Sequence, residues 1–462
     1  MVLQGLAQDF LSNYLGWPLI RIQQKLHPGK RDLAPHYAEG LAFRKHASGW
    51  STERKEQWIL ERLRFIVRRA AEGTAYYRDL FNGVGFDPRS NFTFQDFSKI
   101  PPLTREDVLG AGEAMISRTV KREKLLRDSS GGSTGEPVQI WLGPEDLGWH
   151  LSSHRFFMDK LGVPAGSRIA YLWGHHLDPG AKKTLLQAAL SFARNERWFD
   201  CFRLSPEILA EYHREMNEFQ PDCIVAYASA LAVFAQFLEQ QGIKPAYPRK
   251  LIITGAEKLF PSQRAISERV FPAPVHERYG GRDAGLMGYQ VHIPGSEEFV
   301  IDWPNLLVEP ESDNNAGANI LVTKLHADGM PMLRYRVGDL GAFPMGARPG
   351  HPVFNLQSVL GRTMDRVWMP NGNFIHGAQF PHLLKDFPVR EFMVIQEADY
   401  SVTIQVVPTT AFSEDHRNSI LNTVRQNLPG LPLSLQMVDT IMKTKANKWK
   451  PVTTHVVREG LG

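Results

Sequence analysis

Residues 223–255 read CIVAYASALAVFAQFLEQQGIKPAYPRKLIITG, and their pattern decides the fold of this chain. Apolar runs over Cys223–Ala226 and Leu251–Thr254 predict two buried strands, and apolar residues at helical spacing predict a helix over Ala230–Gln240 between them. Strands that are buried on both faces and joined by a helix are typical of a parallel βαβ unit. The sequence therefore predicts an α/β protein built around a parallel sheet.

The same alternation continues on both sides of this unit. A further strand is predicted over Arg168–Trp173, and further helices over Pro206–Glu218 and Ser262–Val270. Ligands of such sheets bind where the strands end at their carboxyl edge. We expect the Gly/Ser-rich stretch 129–137 and the turn Gly255-Ala256-Glu257 to lie at this edge.

The flanking regions have other patterns. An amphipathic helix is predicted over residues 51–72, and Thr104 with Asp107 resembles the start of a capped helix. Beyond residue 290 the pattern changes to strands and hairpins. Segments Asn319–Leu325 and Pro331–Arg336 flank Asp-Gly at 328–329, which is a hairpin signal.

The C-terminal hundred residues or so predict a small α+β domain. The elements expected are two strands within 391–407, a helix over 413–428 opened by Ser413, and a strand over 431–441. The fold class predicted is therefore α/β, with residues 1–358 as a large N-terminal domain of parallel-sheet subdomains and a small β-barrel-like part. Residues 359–462 would form a small C-terminal domain.

Composition limits the classes of function. The 462 residues are 43% hydrophobic and 22% charged, with a formal net charge of +4, as expected of a globular protein without a strong preference for nucleic acid. Cys201 and Cys223 are the only cysteines, which excludes a disulfide framework and a multi-cysteine zinc site. No run of 18 apolar residues and no signal-peptide pattern occur, so we expect a cytoplasmic protein without membrane insertion.

The stretch SSGGSTGEP at 129–137 is the strongest candidate for a ligand-binding loop. Its glycines allow close approach of the backbone, and its hydroxyls and amides can bind phosphate oxygens. The stretch lacks the Gly-Lys-Ser/Thr of a Walker loop and the glycine spacing of a dinucleotide fingerprint. A flexible Gly/Ser linker is the alternative.

Further clusters follow this loop in a fixed order. They are Thr254–Glu257, Tyr279–Asp283, Tyr335–Leu340, Gly361-Arg362 and Lys443–Lys448. Together with the lead-in segments Thr74–Phe81 and Ile100–Arg105, they resemble the adenylate-forming superfamily of acyl-CoA synthetases, adenylation domains and luciferases. The resemblance covers essentially the whole chain. It is strongest to the phenylacetate-CoA ligase branch and its relatives in capsular polysaccharide gene clusters.

The resemblance implies a set of site residues. The phosphates of ATP would be bound by Ser130, Gly131, Gly132, Ser133, Thr134 and Gly135. Adenine and ribose would be bound by Gly255, Ala256, Glu257, Tyr279, Gly280, Asp339 and Arg362. The acid would lie against Trp173, His175, Tyr227 and Ser229. Asp283 would hold Mg²⁺ where the family has glutamate, and Lys448 would be the catalytic lysine.

The function implied is activation of a carboxylic acid by ATP to an acyl-adenylate, followed by transfer to coenzyme A. Transfer to a carrier protein or an amine in polysaccharide or secondary-metabolite biosynthesis is an alternative. The cofactors expected are ATP, Mg²⁺ and coenzyme A, without zinc, and an oligomer is left open. Glu136, Met364 and Asn447 depart from the family pattern, so a nucleotide-binding protein with impaired catalysis is a further alternative.

Overall fold

The computed structural model of the chain describes residues 28–129, 138–174, 191–192, 194–290, 296–313, 317–362, 366–370, 374–376, 380–384, 387–441 and 452–456. Its helices are α1 Pro28–Ala47, α2 Thr52–Gly73, α3 Ala75–Gly83, α4 Phe94–Phe97, α5 Arg105–Ala111, α6 Pro144–Lys160, α7 Pro206–Phe219, α8 Ala228–Gln240, α9 Pro261–Val270, α10 Phe380–Leu384 and α11 Glu414–Asn427.

The strands of the first half are β1 Leu126–Ser129, β2 Gln139–Leu142, β3 Ile169–Trp173, β4 Glu196–Asp200, β5 Cys223–Tyr227, β6 Leu251–Gly255, β7 Val275–Gly281, β8 Gly285–Gln290, β9 Phe299–Ile301 and β10 Leu306–Pro310. The later strands are β11 Ala318–Lys324, β12 Tyr335–Ala342, β13 Asn355–Leu356, β14 Ser358–Arg362, β15 Arg366–Trp368, β16 Phe374–His376, β17 Val389–Gln396, β18 Val402–Pro408, β19 Leu433–Met437 and β20 Val452–Thr454.

The predicted parallel sheet is confirmed. Among the described residues an eight-stranded sheet runs in the order β13-β9-β8-β7-β6-β5-β3-β4, and the five strands from β4 to β7 are parallel. The predicted strands β3, β5 and β6 and the helices α7, α8 and α9 form within two residues of the predicted bounds. Local hydrophobic pattern was sufficient here because each element buries one continuous apolar face or run.

The parallel sheet has helices on both faces. One face packs against α7, α8 and α9 through residues such as Ile224, Phe234 and Ile252. The other face packs against α6 through Phe157 and Tyr289. Cys201 and Cys223 lie on opposite faces and are both buried, as expected of core cysteines. The candidate site forms around the carboxyl ends of strands β6 and β7.

Helix α2 confirms the amphipathic pattern of residues 51–72. Ser51 caps it by accepting the N–H of Arg54, and its buried residues repeat at three- and four-residue intervals, as in Ile59, Leu63 and Ile66. Burying such a stripe stabilises a helix by about 25 cal/mol for each Å² of apolar surface removed from water. The capped start of α5 is confirmed too, since Thr104 and Asp107 form a reciprocal capping box.

The predicted hairpin around residues 328–329 forms only in part. Strands β11 and β12 pair antiparallel, but β12 begins at Tyr335, so residues 331–334 are not part of the strand. Asp328 is buried rather than at an exposed tight turn, and its carboxylate accepts the N–H groups of Glu145 and Asp146 at 3.2 and 3.1 Å. It therefore caps the N-terminus of α6, which has no capping side chain of its own.

In the region where a small barrel-like part is expected, the described residues form the antiparallel sheet β10-β11-β12-β14. Its last strand, Ser358–Arg362, pairs with β12, so the proposed boundary at 358/359 falls at the start of that strand. The later residues have their own core, in which α11 packs on β17, β18 and β19. The predicted helix opened by Ser413 and the strands of this region are confirmed.

The placement of the Gly/Ser-rich stretch differs from the prediction. Strands β1 and β2, which flank it, pair antiparallel in a two-stranded sheet, so the stretch does not follow a strand of the parallel sheet. Residues 130–137 lie outside the described part of the chain. Within that part, no helix is both long and apolar enough to cross a membrane.

Candidate active site

The turn after β6 lies at the carboxyl edge of the parallel sheet, as predicted. Ala256 has a φ of 68°, a left-handed conformation that costs a residue with a Cβ about 1–2 kcal/mol. The carboxylate of Glu257 accepts the N–H of Ser229 at 2.6 Å, in the first turn of α8. The structure thus brings Ala256, Glu257 and Ser229 together. Their roles toward adenine or the acid remain predictions.

Tyr279, at the end of β7, is joined to the second sheet by a hydrogen bond. Its hydroxyl donates to Oδ2 of Asp339 on β12 at 2.8 Å. Asp339 in turn stands opposite Arg362 in the register between β12 and β14. Three predicted nucleotide-binding residues that lie far apart in sequence therefore meet at one place. A carboxylate can accept several hydrogen bonds, as binding of ribose hydroxyls would require.

Asp283 lies in the turn between β7 and β8. Its Oδ2 accepts the hydroxyl of Tyr335 at 3.0 Å, and its Oδ1 accepts the N–H of Ala284 at 3.0 Å. No group of three His, Cys, Asp or Glu side chains suited to a metal occurs among the described residues. Mg²⁺ commonly takes one or two carboxylates and fills its octahedron with phosphate oxygens and water. Asp283 fits that kind of site, and its role remains a prediction.

Arg282 connects this turn to the predicted phosphate loop. Its Nη1 donates to the carbonyl oxygen of Ser129, the last residue of β1, at 3.1 Å. The chain therefore enters residues 130–135 beside the Asp283 turn. Those six residues, His175 and Lys448 lie outside the described part of the chain, so their predicted roles are neither supported nor opposed by the geometry.

Two of the predicted acid-pocket residues contact each other. The rings of Trp173 and Tyr227 meet edge to face with centroids 4.6 Å apart, and Phe202 adds a third ring 6.2 Å from Tyr227. A Cβ on Gly174 would lie 2.5 Å from the end of the Phe202 ring, so glycine lets this ring approach the backbone. Burial raises the pKa of Tyr227 to about 12, so its hydroxyl is neutral and can act as a donor at neutral pH.

The sequence interpretation missed three polar residues near this aromatic wall. Arg278, one residue before Tyr279, places its guanidinium carbon 4.6 Å from the Trp173 ring centroid. On α6, the rings of His150 and His154 meet edge to face 5.3 Å apart. Their spacing of four residues, which a helix would bring to one face, was the available signal, but no helix is predicted there from the sequence.

Burial controls the protonation of the groups around the site. It lowers the pKa of His150 to about 4, and Nδ1 of this neutral ring accepts the N–H of Leu286 at 3.4 Å. Burial likewise raises the pKa of Glu277, which accepts the N–H of Leu259, to about 7. The region between α6 and the sheet thus holds uncharged histidines at neutral pH.

The chain is similar to proteins of known name over part of its length. No protein-family model matches the chain. Protein CapK of Staphylococcus aureus is 22% identical over 247 residues, which are 54% of each chain. The phenylacetate-coenzyme A ligase of Aromatoleum evansii is 24% identical over 292 residues, 61% of this chain and 64% of that enzyme. The matched region thus spans about half of the first relative and less than two thirds of the second.

Among solved structures, 2-hydroxyisobutyryl-CoA ligase in the postadenylation state, in complex with 2-HIB-AMP, superposes with a TM-score of 0.69. The two chains are 16% identical, and the match covers 88% of this chain and 90% of that one. This chain therefore shares the fold of 2-hydroxyisobutyryl-CoA ligase. The sequence relatives are named phenylacetate-coenzyme A ligase and CapK.

Proposed function

We propose that this protein uses ATP to activate a carboxylic acid as an acyl-adenylate and then transfers the acyl group to coenzyme A. One observation carries the proposal: motifs separated by up to about 200 residues converge on one edge of the sheet. The hydroxyls of Tyr279 and Tyr335 donate hydrogen bonds to Asp339 and Asp283, respectively. The guanidinium of Arg282 donates one to the carbonyl oxygen at the end of β1. A shared site for a nucleotide and its metal is the simplest reason for these residue types to meet.

The chemistry explains why such a site is needed. An oxygen of the substrate carboxylate forms a bond to the α-phosphorus of ATP, and the bond from that phosphorus to the β-bridging oxygen breaks, releasing pyrophosphate. Two anions must approach, and unit charges about 4 Å apart repel by roughly 4 kcal/mol at an effective dielectric constant near 20. Mg²⁺ on the phosphates, beside Asp283, would offset part of this repulsion.

Lys448 is the residue proposed to supply the remaining positive charge, by bridging the carboxylate and the α-phosphate. In this proposal, residues 359–462 form a domain that rotates after adenylation, which removes the lysine and admits the thiol of coenzyme A. Trp173, Tyr227 and Ser229 would contact the acyl group, while Tyr279 and Asp339 would contact adenosine.

The first test is ATP–pyrophosphate exchange over a panel of aryl, aliphatic and sugar acids. Exchange that depends on one class of acid would support activation. Lys448→Ala should abolish exchange while leaving ATP affinity within about threefold, because the lysine acts on the transition state. Lys445→Ala is the matched control and should retain exchange. Loss of exchange in Lys445→Ala and its survival in Lys448→Ala would contradict the assignment.

The acceptor is tested separately. Release of AMP that requires coenzyme A supports the ligase, whereas release that requires a carrier protein or an amine supports the alternative transfer. ATP binding without exchange for any acid would instead favour a nucleotide-binding protein that has lost catalysis, consistent with the departures at Glu136, Met364 and Asn447.

A further inference from the structure

Arg278 carries a positive charge that the described residues do not neutralise. No Asp or Glu of the described part of the chain lies within ion-pair distance of its guanidinium. The side chain is half-buried between the Trp173 ring and the end of β6, where a Cβ on Gly255 would come within 2.9 Å of its Nε. Gly255 therefore makes room for the arginine. Holding a partly buried cation without a partner is unfavourable, which points to a partner that binds.

The groups around Arg278 are polar but uncharged. Burial and the nearby guanidinium hold the pKa of His154 well below its usual range, and the same guanidinium acts on His150, whose ring contacts that of His154 on α6. Tyr289 stands opposite Arg278 in the register between β7 and β8. Its buried hydroxyl makes no hydrogen bond of normal geometry within the described residues, although Arg278 is close enough to lower its pKa against the effect of burial.

The cluster adjoins the wall proposed for the acyl group. Trp173 contacts Arg278 on one side and Tyr227 on the other. An acid with an apolar tail, such as phenylacetate, would cover Arg278 without pairing it. A carboxylate at the far end of the substrate would instead accept a bidentate hydrogen bond from the guanidinium. Neutral histidine and tyrosine groups could complete the hydrogen bonds of such a carboxylate without competing for the charge.

We infer that Arg278 determines specificity by pairing with a second carboxylate of the substrate, so that the protein activates a dicarboxylic acid. This inference rests on the proposed function for the fate of the first carboxylate, which would react with ATP. The alternative is that Arg278 only packs against Trp173, as a cation stacked on an aromatic ring.

The experiment compares diacids with monoacids of equal chain length: malonate with propionate, succinate with butyrate, and glutarate with valerate. Pyrophosphate exchange with the wild type should favour the diacid in at least one pair by on the order of 100-fold in kcat/KM, because a site built around a charge rejects an analogue that leaves it unpaired. Arg278→Met should reduce that ratio to within about threefold, with KM for ATP unchanged. Arg278→Lys, which keeps the charge without the fork, should give an intermediate ratio.

Calorimetric binding of the same six acids, with a non-hydrolysable ATP analogue present, separates this inference from the proposed function. If no acid supports exchange but a diacid binds the wild type and not Arg278→Met, the proposed activation fails, whereas the pairing of Arg278 with a second carboxylate stands. A wild type without diacid preference in either assay overturns the inference, whether or not the variants fold. Retention of the preference in Arg278→Met overturns it as well.

Discussion

Replacing Tyr279 by phenylalanine removes one hydroxyl from the candidate nucleotide site and little else. That hydroxyl donates to Asp339 Oδ2 at 2.8 Å, while the ring packs edge to face on Phe299, 5.9 Å away between centroids. Phenylalanine keeps the ring contact. A hydrogen bond to a charged acceptor contributes about 1.5–3 kcal/mol, and both side chains here are only partly buried, which favours the lower end.

The expected effect on ATP binding follows from this value. If Tyr279 orients the Asp339 carboxylate for the ribose hydroxyls, losing about 1–1.5 kcal/mol of that orientation weakens ATP binding roughly five- to tenfold. Asp339→Ala should weaken binding at least as much, because it removes the acceptor itself. The double variant should be little worse than Asp339→Ala alone, since a hydroxyl that acts through a carboxylate has no effect once the carboxylate is gone.

Isothermal titration calorimetry with ATP measures all three variants. Tyr212→Phe is the matched control, because its hydroxyl donates to the carbonyl oxygen of Asp200 at 3.1 Å, on β4, which lies at the opposite end of the parallel strands from β7. It should leave ATP affinity unchanged. The reasoning is refuted if Tyr279→Phe binds ATP within twofold of the wild type, or if the effects of Tyr279→Phe and Asp339→Ala simply add.

Three further predictions concern stability. Burial raises the pKa of Glu277 from 4.5 to about 7 in the folded state, so the folded state binds this proton more tightly than the unfolded state. The free energy of unfolding of the wild type should therefore decrease by up to roughly 3 kcal/mol as the pH rises from about 4.5 to 7. Urea unfolding at pH 5 and pH 8 should show a smaller difference in unfolding free energy for Glu277→Gln than for the wild type. An equal difference in the two proteins would contradict this prediction. Asp328→Ala should cost about 1–2 kcal/mol by uncapping α6, whereas Asp328→Asn should cost less, because its amide oxygen keeps one of the two acceptors; equal losses in the two variants would speak against capping. Lys324→Met should cost about 3–5 kcal/mol in the same assay, because it leaves buried Asp146, 2.6 Å from the lysine Nζ, without its cation; a loss below about 1 kcal/mol would argue against this pair.

The features that sequence predicted well are those determined by neighbouring residues. The helix beginning after Ser51, the capping box of Thr104 and Asp107, and the helix beginning after Ser413 all form as expected. Their signals are hydrogen bonds that span three residues and apolar stripes that repeat every three or four residues. The order of buried strands and helices was sufficient to predict the parallel sheet for the same reason.

Prediction from the sequence failed where residues with a local turn pattern make their contacts with distant parts of the chain. Asp328-Gly329 has the composition of a tight turn, yet Asp328 caps a helix that begins 184 residues earlier, at Pro144. The Gly/Ser-rich stretch is expected at the carboxyl edge of the parallel sheet, but among the described residues β1, which precedes it, pairs with β2 in a separate sheet. In both cases the partner of the segment depends on which surfaces of the folded chain meet.

The sequence by itself determined the elements of this protein and the order of the motifs proposed to bind ATP, because those depend on periodicity, capping and residue type along the chain. Only the tertiary structure decided that Arg278 stacks on Trp173 within electrostatic reach of His150 and His154, and that Tyr279 meets Asp339. Arg278 and Tyr279 lie on β7, whereas their partners lie on β3, α6 and β12. Their proximity arises only when α6 and the second sheet pack against the strands of the first sheet, which no local pattern encodes.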